Sequence, residues 1–403
     1  MTEATDVTFS TRRTDDVRLV AGVSAAHFVS HFYMLVLPPL FAFVRDDYGV
    51  TYTEVGLALT MFNTVSAIAQ TPAGFLIDRI NARLALIAGL LLGAAGLAIA
   101  AVVDSYWVLI AAFGLVGLGN TVYHPADYAL LSRHVAPERM SQAYSVHTFS
   151  GMLGSAAAPS AVLLMHSLYG WRGAFIGAAA LGAAAALVLL FTPGGDPHHP
   201  PRASSAPVQG HKNWRLLMTA PILMNFLFFT IYAFGSFGLQ NFSVVALGAL
   251  HGTSPVAANS ALSGYLLLSA LGVLIGGLIA GRMTNHRITA AIGLSATVAA
   301  AFLIGCIDLG NFLLVLVLSF AGLCAGIVMP SRDMIVREVT PPGSFGKVFA
   351  FVTTGYHIAG ILAPLLFAAL LDRGEPRAIF ILSAVFTLLS IVTVACVPHR
   401  RAA

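Results

Sequence analysis

Apolar residues run along this 403-residue chain in stretches of twenty or more, separated by short breaks rich in charge, proline and glycine. A membrane-crossing helix needs roughly 20 predominantly apolar residues. The pattern predicts twelve such helices: 19–44, 53–77, 83–103, 106–131, 139–165 and 171–192, then 217–248, 255–280, 287–307, 311–336, 345–371 and 377–397. Residues 1–18 are polar and read as a cytosolic tail, as do 398–403 at the other end. The first apolar run is too long for a cleavable signal peptide and lacks a small-residue cleavage pattern. The longest break, 193–216, holds Pro193, Gly194, Gly195, Pro200 and Pro201 and predicts a flexible cytosolic linker between six-helix bundles at 19–192 and 217–397.

Composition narrows the class. Apolar residues make up 58% of the chain and charged residues 9%, against about 45–50% and about 25% in an ordinary soluble domain. That excludes a water-soluble enzyme, and it excludes disorder, which needs low hydrophobicity and high charge. Cys306, Cys324 and Cys396 lie in apolar runs with no zinc-type spacing. The net charge of +4 implies no nucleic-acid partner, because basic residues in such a chain report topology first. With the N-terminus inside, only Arg45, Arg172, Arg373 and Arg377 of the 21 Lys and Arg fall outside. The positive-inside rule then puts both termini in the cytosol of a multi-pass protein of the cell membrane (the inner membrane if bacterial), with the lipid bilayer as its partner.

The two halves repeat. At a shift of 205, Pro125, Pro137 and Pro159 coincide with Pro330, Pro342 and Pro364, Gly117-Leu118 with Gly322-Leu323, and Arg172 and Phe175 with Arg377 and Phe380. At a shift of 203, Gly74 and Arg79 match Gly277 and Arg282. An ordered series with one small slip indicates a duplicated six-helix unit. Parallel repeats related by an axis along the membrane normal are one transporter layout, with substrate bound between the halves. The expected fold is an all-α membrane protein of two pseudo-symmetric six-helix bundles.

The run Gly74-Phe75-Leu76-Ile77-Asp78-Arg79-Ile80-Asn81-Ala82-Arg83 resembles the loop between helices 2 and 3 of the major facilitator superfamily, G-x-L-x-D-R-x-G-R-R, with Asn81 and Ala82 replacing a Gly and an Arg. A narrower resemblance, to fosmidomycin-resistance-like exporters, rests on Ala26-His27-Phe28, Pro38-Pro39-Leu40, Gln70-Thr71-Pro72 and Tyr123-His124-Pro125. His31 stands where that group has a carboxylate, and the helix-4 Arg of many drug/proton antiporters is replaced by Phe113. The resemblance implies alternating access, with helices 1, 4, 7 and 10, flanked by 2, 5, 8 and 11, around the substrate path.

Ionisable groups in lipid are costly and normally face a cavity or a partner. His27 and His31 in helix 1, His124 in helix 4, His147 in helix 5 and His357 in helix 11 fall well inside spans, and none falls in helices 3, 6, 9 or 12. Asp127 lies three residues after His124, and its repeat mate is Arg332; the two are expected to approach across the cytosolic side in one state. Asn225 and Tyr232 in helix 7 are further cavity candidates. His27 and His31 are four apart and share a face, but two imidazoles without a Cys, Met or carboxylate array are a weak metal signal, and no metal site is assigned. No cofactor is expected, and no Walker-type phosphate loop is present.

The resulting expectation is a monomeric secondary transporter, not an enzyme, exporting a small organic solute in exchange for protons. The alternative is proton-coupled uptake of a metabolite anion or a transition metal ion. Gly74, Asp78, Arg79 and Arg83 are expected to form a cytosolic gate. Asp78→Asn should therefore cut transport in liposomes while leaving membrane insertion intact; undiminished transport would remove the latch.

Overall fold

The computed structural model describes residues 2–77, 80–136, 139–192, 214–280, 282, 283, 285–341 and 345–395. The described chain is helical throughout, as lipid requires: hydrocarbon offers no partner to a backbone N–H or C=O, and an α-helix satisfies both internally. Among the described residues, ten helical stretches are long and apolar enough to cross a membrane. Large apolar side chains also cover the outside, among them Ile68, Trp107, Leu278 and Phe312. Such a surface suits contact with lipid.

The helices are α1 (Thr2–Met34), α2 (Phe41–Tyr48), α3 (Tyr52–Ile77), α4 (Ala82–Val102), α5 (Tyr106–Asn120), α6 (Tyr123–His134) and α7 (Met140–Leu190). After residue 213 come α8 (Ala220–His251), α9 (Pro255–Ala280), α10 (His286–Cys306), α11 (Gly310–Val339), α12 (Phe345–Asp372) and α13 (Pro376–Ala395). Several depart from the expected spans for identifiable reasons. The polar stretch expected as a tail is helical from Thr2 and continuous with the first span. That span then breaks at Pro38-Pro39, which form a 3-10 turn before α2; a proline ring has no N–H to continue an α-helix.

The fourth expected span is two helices. Thr121 closes α5, with its N–H and its hydroxyl both donating to the Leu118 carbonyl at 3.2 and 2.7 Å. A new helix starts at Tyr123, placing Pro125 in its first turn, where a missing N–H costs nothing. The repeat mate Pro330 stays inside the continuous α11. The fifth and sixth spans run together as α7, which turns on one residue, Gly170, at φ 72° and ψ 175°. The matching junction between α12 and α13 turns on Gly374 at φ 73°. A side chain is strained at such a φ, and glycine is not.

Residue contacts divide the chain into two compact units, Met1–Val36 with Met61–Ser204, and Leu37–Thr60 with Ser205–Ala403. Helix α3 is divided between them. In the second unit the Asp372 carboxylate caps its start, accepting from the N–H groups of Tyr52 and Thr53 at 2.7 Å each.

Within each unit the helices meet through small residues at repeat-related places. In the first, α1 packs on α7, and α4 on α5 and α7; in the second, α8 packs on α12, and α10 on α11 and α13. A Cβ at Gly89 would sit 2.9 Å from the Gly119 carbonyl oxygen, and one at Gly293 would sit 2.9 Å from that of Cys324. A Cβ at Gly117 would strike the Phe62 carbonyl, and one at Gly322 the Tyr265 carbonyl. Close approach through small residues gives the van der Waals contact that drives helix association in lipid.

These contacts predict opposite effects for two chemically identical changes. Gly277 has open space where a Cβ would go, so Gly277→Ala should leave the thermal midpoint in detergent unchanged or slightly raised, by helix propensity. Gly322→Ala should lower stability by about 1–3 kcal/mol, the usual cost of overpacking, and lower the midpoint accordingly.

Candidate functional site

Most of the polar side chains expected inside the membrane are placed in two groups, one in each unit. The first is built by three helices. Helix α1 presents His27 and His31 one turn apart, with ring centroids 4.6 Å from each other. The first two turns of α6 carry His124 and Asp127, and α7 contributes His147, Ser150 and Ser155. The His27 ring stacks on that of His147 at 3.9 Å and lies 5.1 Å from that of His124. His31 is 6.2 Å from His124, and its Nδ1 is 3.1 Å from the Ser155 hydroxyl. The Tyr128 ring lies 5.8 Å from His147.

Local sequence explains this crowding. Gly151 on α7 faces α1 where a Cβ would collide with the His27 ring and come within 3.0 Å of His31. A glycine at this position makes room for two imidazoles. The Ser150 hydroxyl next to it donates to the Ser24 carbonyl at 2.8 Å, tying α7 to α1. The start of α6 at Tyr123, set by Pro125, places His124 in a first turn and Asp127 on the inward side.

Asp127 is the electrostatic centre of the group. Its side chain is fully buried, which excludes snorkelling to headgroups. Its Oδ2 is 3.4 Å from His27 Nδ1 and 3.6 Å from His147 Nε2. His27 and His147 are themselves 4% and 1% exposed, whereas His124 is exposed and His31 half-buried. Neither Asp127 oxygen, nor His27 Nδ1, nor either nitrogen of His147 has a hydrogen-bond partner.

The second group lies in the other unit. Arg332 on α11 is buried; its Nε and Nη2 reach Asp333 Oδ1 at 2.9 and 2.8 Å, and its Nη1 donates to the Tyr356 hydroxyl at 2.5 Å. The guanidinium lies 4.6 Å from the Phe229 ring centroid, a cation–π contact. Tyr232 is buried and stacks on Phe228 at 6.0 Å. Asn225 donates to the Pro221 carbonyl of its own helix at 2.8 Å, with its Oδ1 buried and unpartnered. His357 is half-buried on α12. Of the pair expected to approach in one state, Asp127 lies beside His27 and His147 in the first unit and Arg332 beside Asp333 and Tyr356 in the second.

Of the expected gate motif, Asp78 and Arg79 lie outside the described residues, and Gly74 is described only as part of α3. Arg83 donates to the carbonyls of Leu190 and Thr192 at 2.5 and 2.7 Å, at the C-terminal end of α7 in its own unit. A cation there satisfies free carbonyls and opposes the helix dipole. Asn81, one of the departures from the motif, caps α4 by accepting from the N–H groups of Arg83 and Leu84 at 2.9 and 3.2 Å. Sequence reasoning missed Ser155 and Phe229. Ser155 had a signal, sitting four residues before Pro159, so that its carbonyl is freed. Phe229 had none beyond its place in an apolar helix.

The geometry fits what the chain is similar to. The fosmidomycin resistance protein of Escherichia coli (strain K12) is 22% identical over 152 residues, covering 38% of this chain and 37% of that protein. A multidrug resistance protein, MdtH of Yersinia enterocolitica, is 32% identical over 114 residues, covering 28% of each. The chain thus spans about a third of the length of the curated relatives it matches. Among solved structures, a bacterial homologue of the human lysosomal transporter Spinster, in an inward-facing and occupied conformation, superposes with a TM-score of 0.75 at 14% identity, covering 94% of this chain and 96% of that one. The family described as Major Facilitator Superfamily matches residues 23–245 and 226–403, together nearly the whole sequence. With its apolar helices and its repeated architecture, the chain is a multi-pass membrane protein and belongs to the Major Facilitator Superfamily.

Proposed function

We propose that the chain is a monomeric secondary active transporter that exports a small organic solute in exchange for protons by alternating access. In this reading it has twelve transmembrane helices and both termini in the cytosol. Helix α7 counts as two spans, α5 with α6 as one, α1 with α2 as one, and α3 supplies the second. The halves 19–192 and 217–397 are joined by 193–216.

The observation that carries the reading is the buried group of Asp127, His27 and His147 with His31 and His124 alongside. Ionisable side chains at such a depth are costly and mark ion or substrate paths. Imidazole exchanges protons near neutral pH, and His31, half-buried and 3.1 Å from the hydroxyl of Ser155, lies beside His27 of the buried group. Export draws support from the two relatives named for fosmidomycin and multidrug resistance. In the second unit Arg332, paired with Asp333, lies against the Phe229 ring, and with Tyr232, Asn225 and His357 of the same unit it is read as the contact for an anionic solute. The same Arg332 equally favours the second reading, uptake of a metabolite anion with protons. Asp78, Arg79 and Arg83 with Gly74 are retained as the cytosolic gate.

The test is made in proteoliposomes. A panel of labelled organic anions, offered to right-side-out and inverted vesicles, identifies solute and direction together. His31→Gln should insert and fold and still exchange solute between two loaded compartments, yet fail to concentrate it on an imposed pH gradient. Normal gradient-driven accumulation by that variant would remove His31 from the coupling path. A solute-independent chain that moves nothing in either orientation would overturn transport itself.

A further inference from the structure

The His27–His124–His147–Asp127 group has a geometry that proton binding alone does not require, and we infer that it is a binding site for a divalent transition metal ion of the zinc class. The three imidazoles each offer a ring nitrogen, and these nitrogens all lie within 4.8 Å of one another. Asp127 Oδ2 is not one of that mutually close set, but it lies 3.4 Å from His27 Nδ1 and 3.6 Å from His147 Nε2. Both separations exceed the N–H···O range of about 2.7–3.2 Å. Those two separations are close to another geometry, towards which the stacked His27 and His147 rings, 3.9 Å apart, would have to slide off each other. Two ligands held at about 2.0–2.1 Å from a tetrahedral zinc ion are roughly 3.3 Å apart along the edge of the tetrahedron.

The unpartnered atoms point the same way. His27 Nδ1, His147 Nε2 and both oxygens of Asp127 are buried without a hydrogen-bond partner, on residues 4%, 1% and 0% exposed. Buried polar groups are normally bonded, and buried charges paired or bound to a metal. One cation between them would answer the Asp127 oxygens and one nitrogen of each ring, leaving His147 Nδ1 aside. His124 completes the set from the first turn of α6. Being exposed, it can swing the ångström or so that a tetrahedral edge demands, and it gives the ion an entry path. His31 packs on His27 and is held by Ser155, so it is placed as a neighbour that fixes the His27 ring rather than as a ligand.

The donor set selects the ion class. Three imidazole nitrogens with one carboxylate oxygen suit Zn²⁺ and its tetrahedral relatives; Cu⁺ prefers sulfur, and Mg²⁺ or Ca²⁺ an all-oxygen shell. Two imidazoles on one helix were a weak signal in the sequence. What changes the assessment is that α6 and α7 bring two further imidazoles and a carboxylate to the same place. The inference goes beyond proton-coupled transport and stands on ligand geometry alone. A proton and a metal ion need the same nitrogen lone pairs, so this site cannot hold both on one imidazole.

Equilibrium titration of the purified full-length protein in detergent, prepared without a polyhistidine tag, tests it and needs no transport. Co²⁺ should bind once per chain, with the intense visible bands of tetrahedral cobalt, and an equivalent of Zn²⁺ should bleach them. His147→Ala and Asp127→Asn should each weaken binding by about tenfold or more, the lower end of what a lost metal partner costs. His147→Cys should keep the cobalt and add a thiolate-to-cobalt charge-transfer band, a signature that a merely misfolded variant does not give. Changing the linker residues His198 and His199 to Ala should leave the spectrum unchanged. Weak octahedral-type bands in the unaltered protein, loss of tetrahedral bands with the linker variant, or a cobalt spectrum unmoved by His147→Cys would each overturn the site. Failed transport in vesicles would leave this result untouched, and absence of the metal would leave the transport assay to decide on its own terms.

Discussion

A carboxylate without water must find its partners in the protein, and in the first unit much of the local structure follows from where Asp127 finds them. The side chain is fully buried on α6, with imidazoles of α1 and α7 beside it. A buried carboxyl with imidazoles of two other helices 3.4 and 3.6 Å away ties the placement of three helices together. Breaking it by removing one partner costs more than the group contributes while intact. Net stability is therefore a poor reason for its presence.

The constraint can be met only because the backbones come close. Gly151 leaves space on α7 for the His27 ring, and Ser150 ties the same turn to α1. The glycine contacts at Gly117 with Phe62, and at Gly322 with Tyr265, repeat this device at shifts that match the duplicated sequence. In lipid the hydrophobic effect does not drive helices together, so packing of small residues and a few interhelical hydrogen bonds must supply the association. The duplicated scaffold is thus a duplicated set of close approaches, onto which each half carries different chemistry.

Most of the helix boundaries were legible because the hydrophobic run is the signal and the membrane sets its length. The span expected at 255–280 is α9 residue for residue, and 287–307 differs from α10 by one position. What the pattern hid was where the backbone departs from one helix per run. Pro38-Pro39 follow the end of α1 and Pro125 sits in the first turn of a new helix, while Pro159, Pro330 and Pro364 sit inside helices. Whether a proline breaks or bends a helix depends on what the neighbouring helices offer the freed carbonyl, and that is not written in a single run of residues. The candidate site was legible in part for the same reason. Each histidine was visible as a polar residue in an apolar run, and His27 with His31 as a shared face. That α6 and α7 would set His124, Asp127 and His147 against that face needed the packing.

The break at Pro125 gives the asymmetry between the halves a physical sense. In α11 the residues from Cys324 through Pro330 to Arg332 continue one helix, and the guanidinium is held by Asp333, Tyr356 and the ring of Phe229. In the first unit the equivalent stretch ends α5 and restarts as α6 at Tyr123. After this restart His124 is exposed while Asp127 is fully buried. The pair then spans the step from an accessible surface to a sealed interior within one turn. The second half keeps its helix unbroken, and its buried guanidinium is paired with Asp333 and backed by the Phe229 ring.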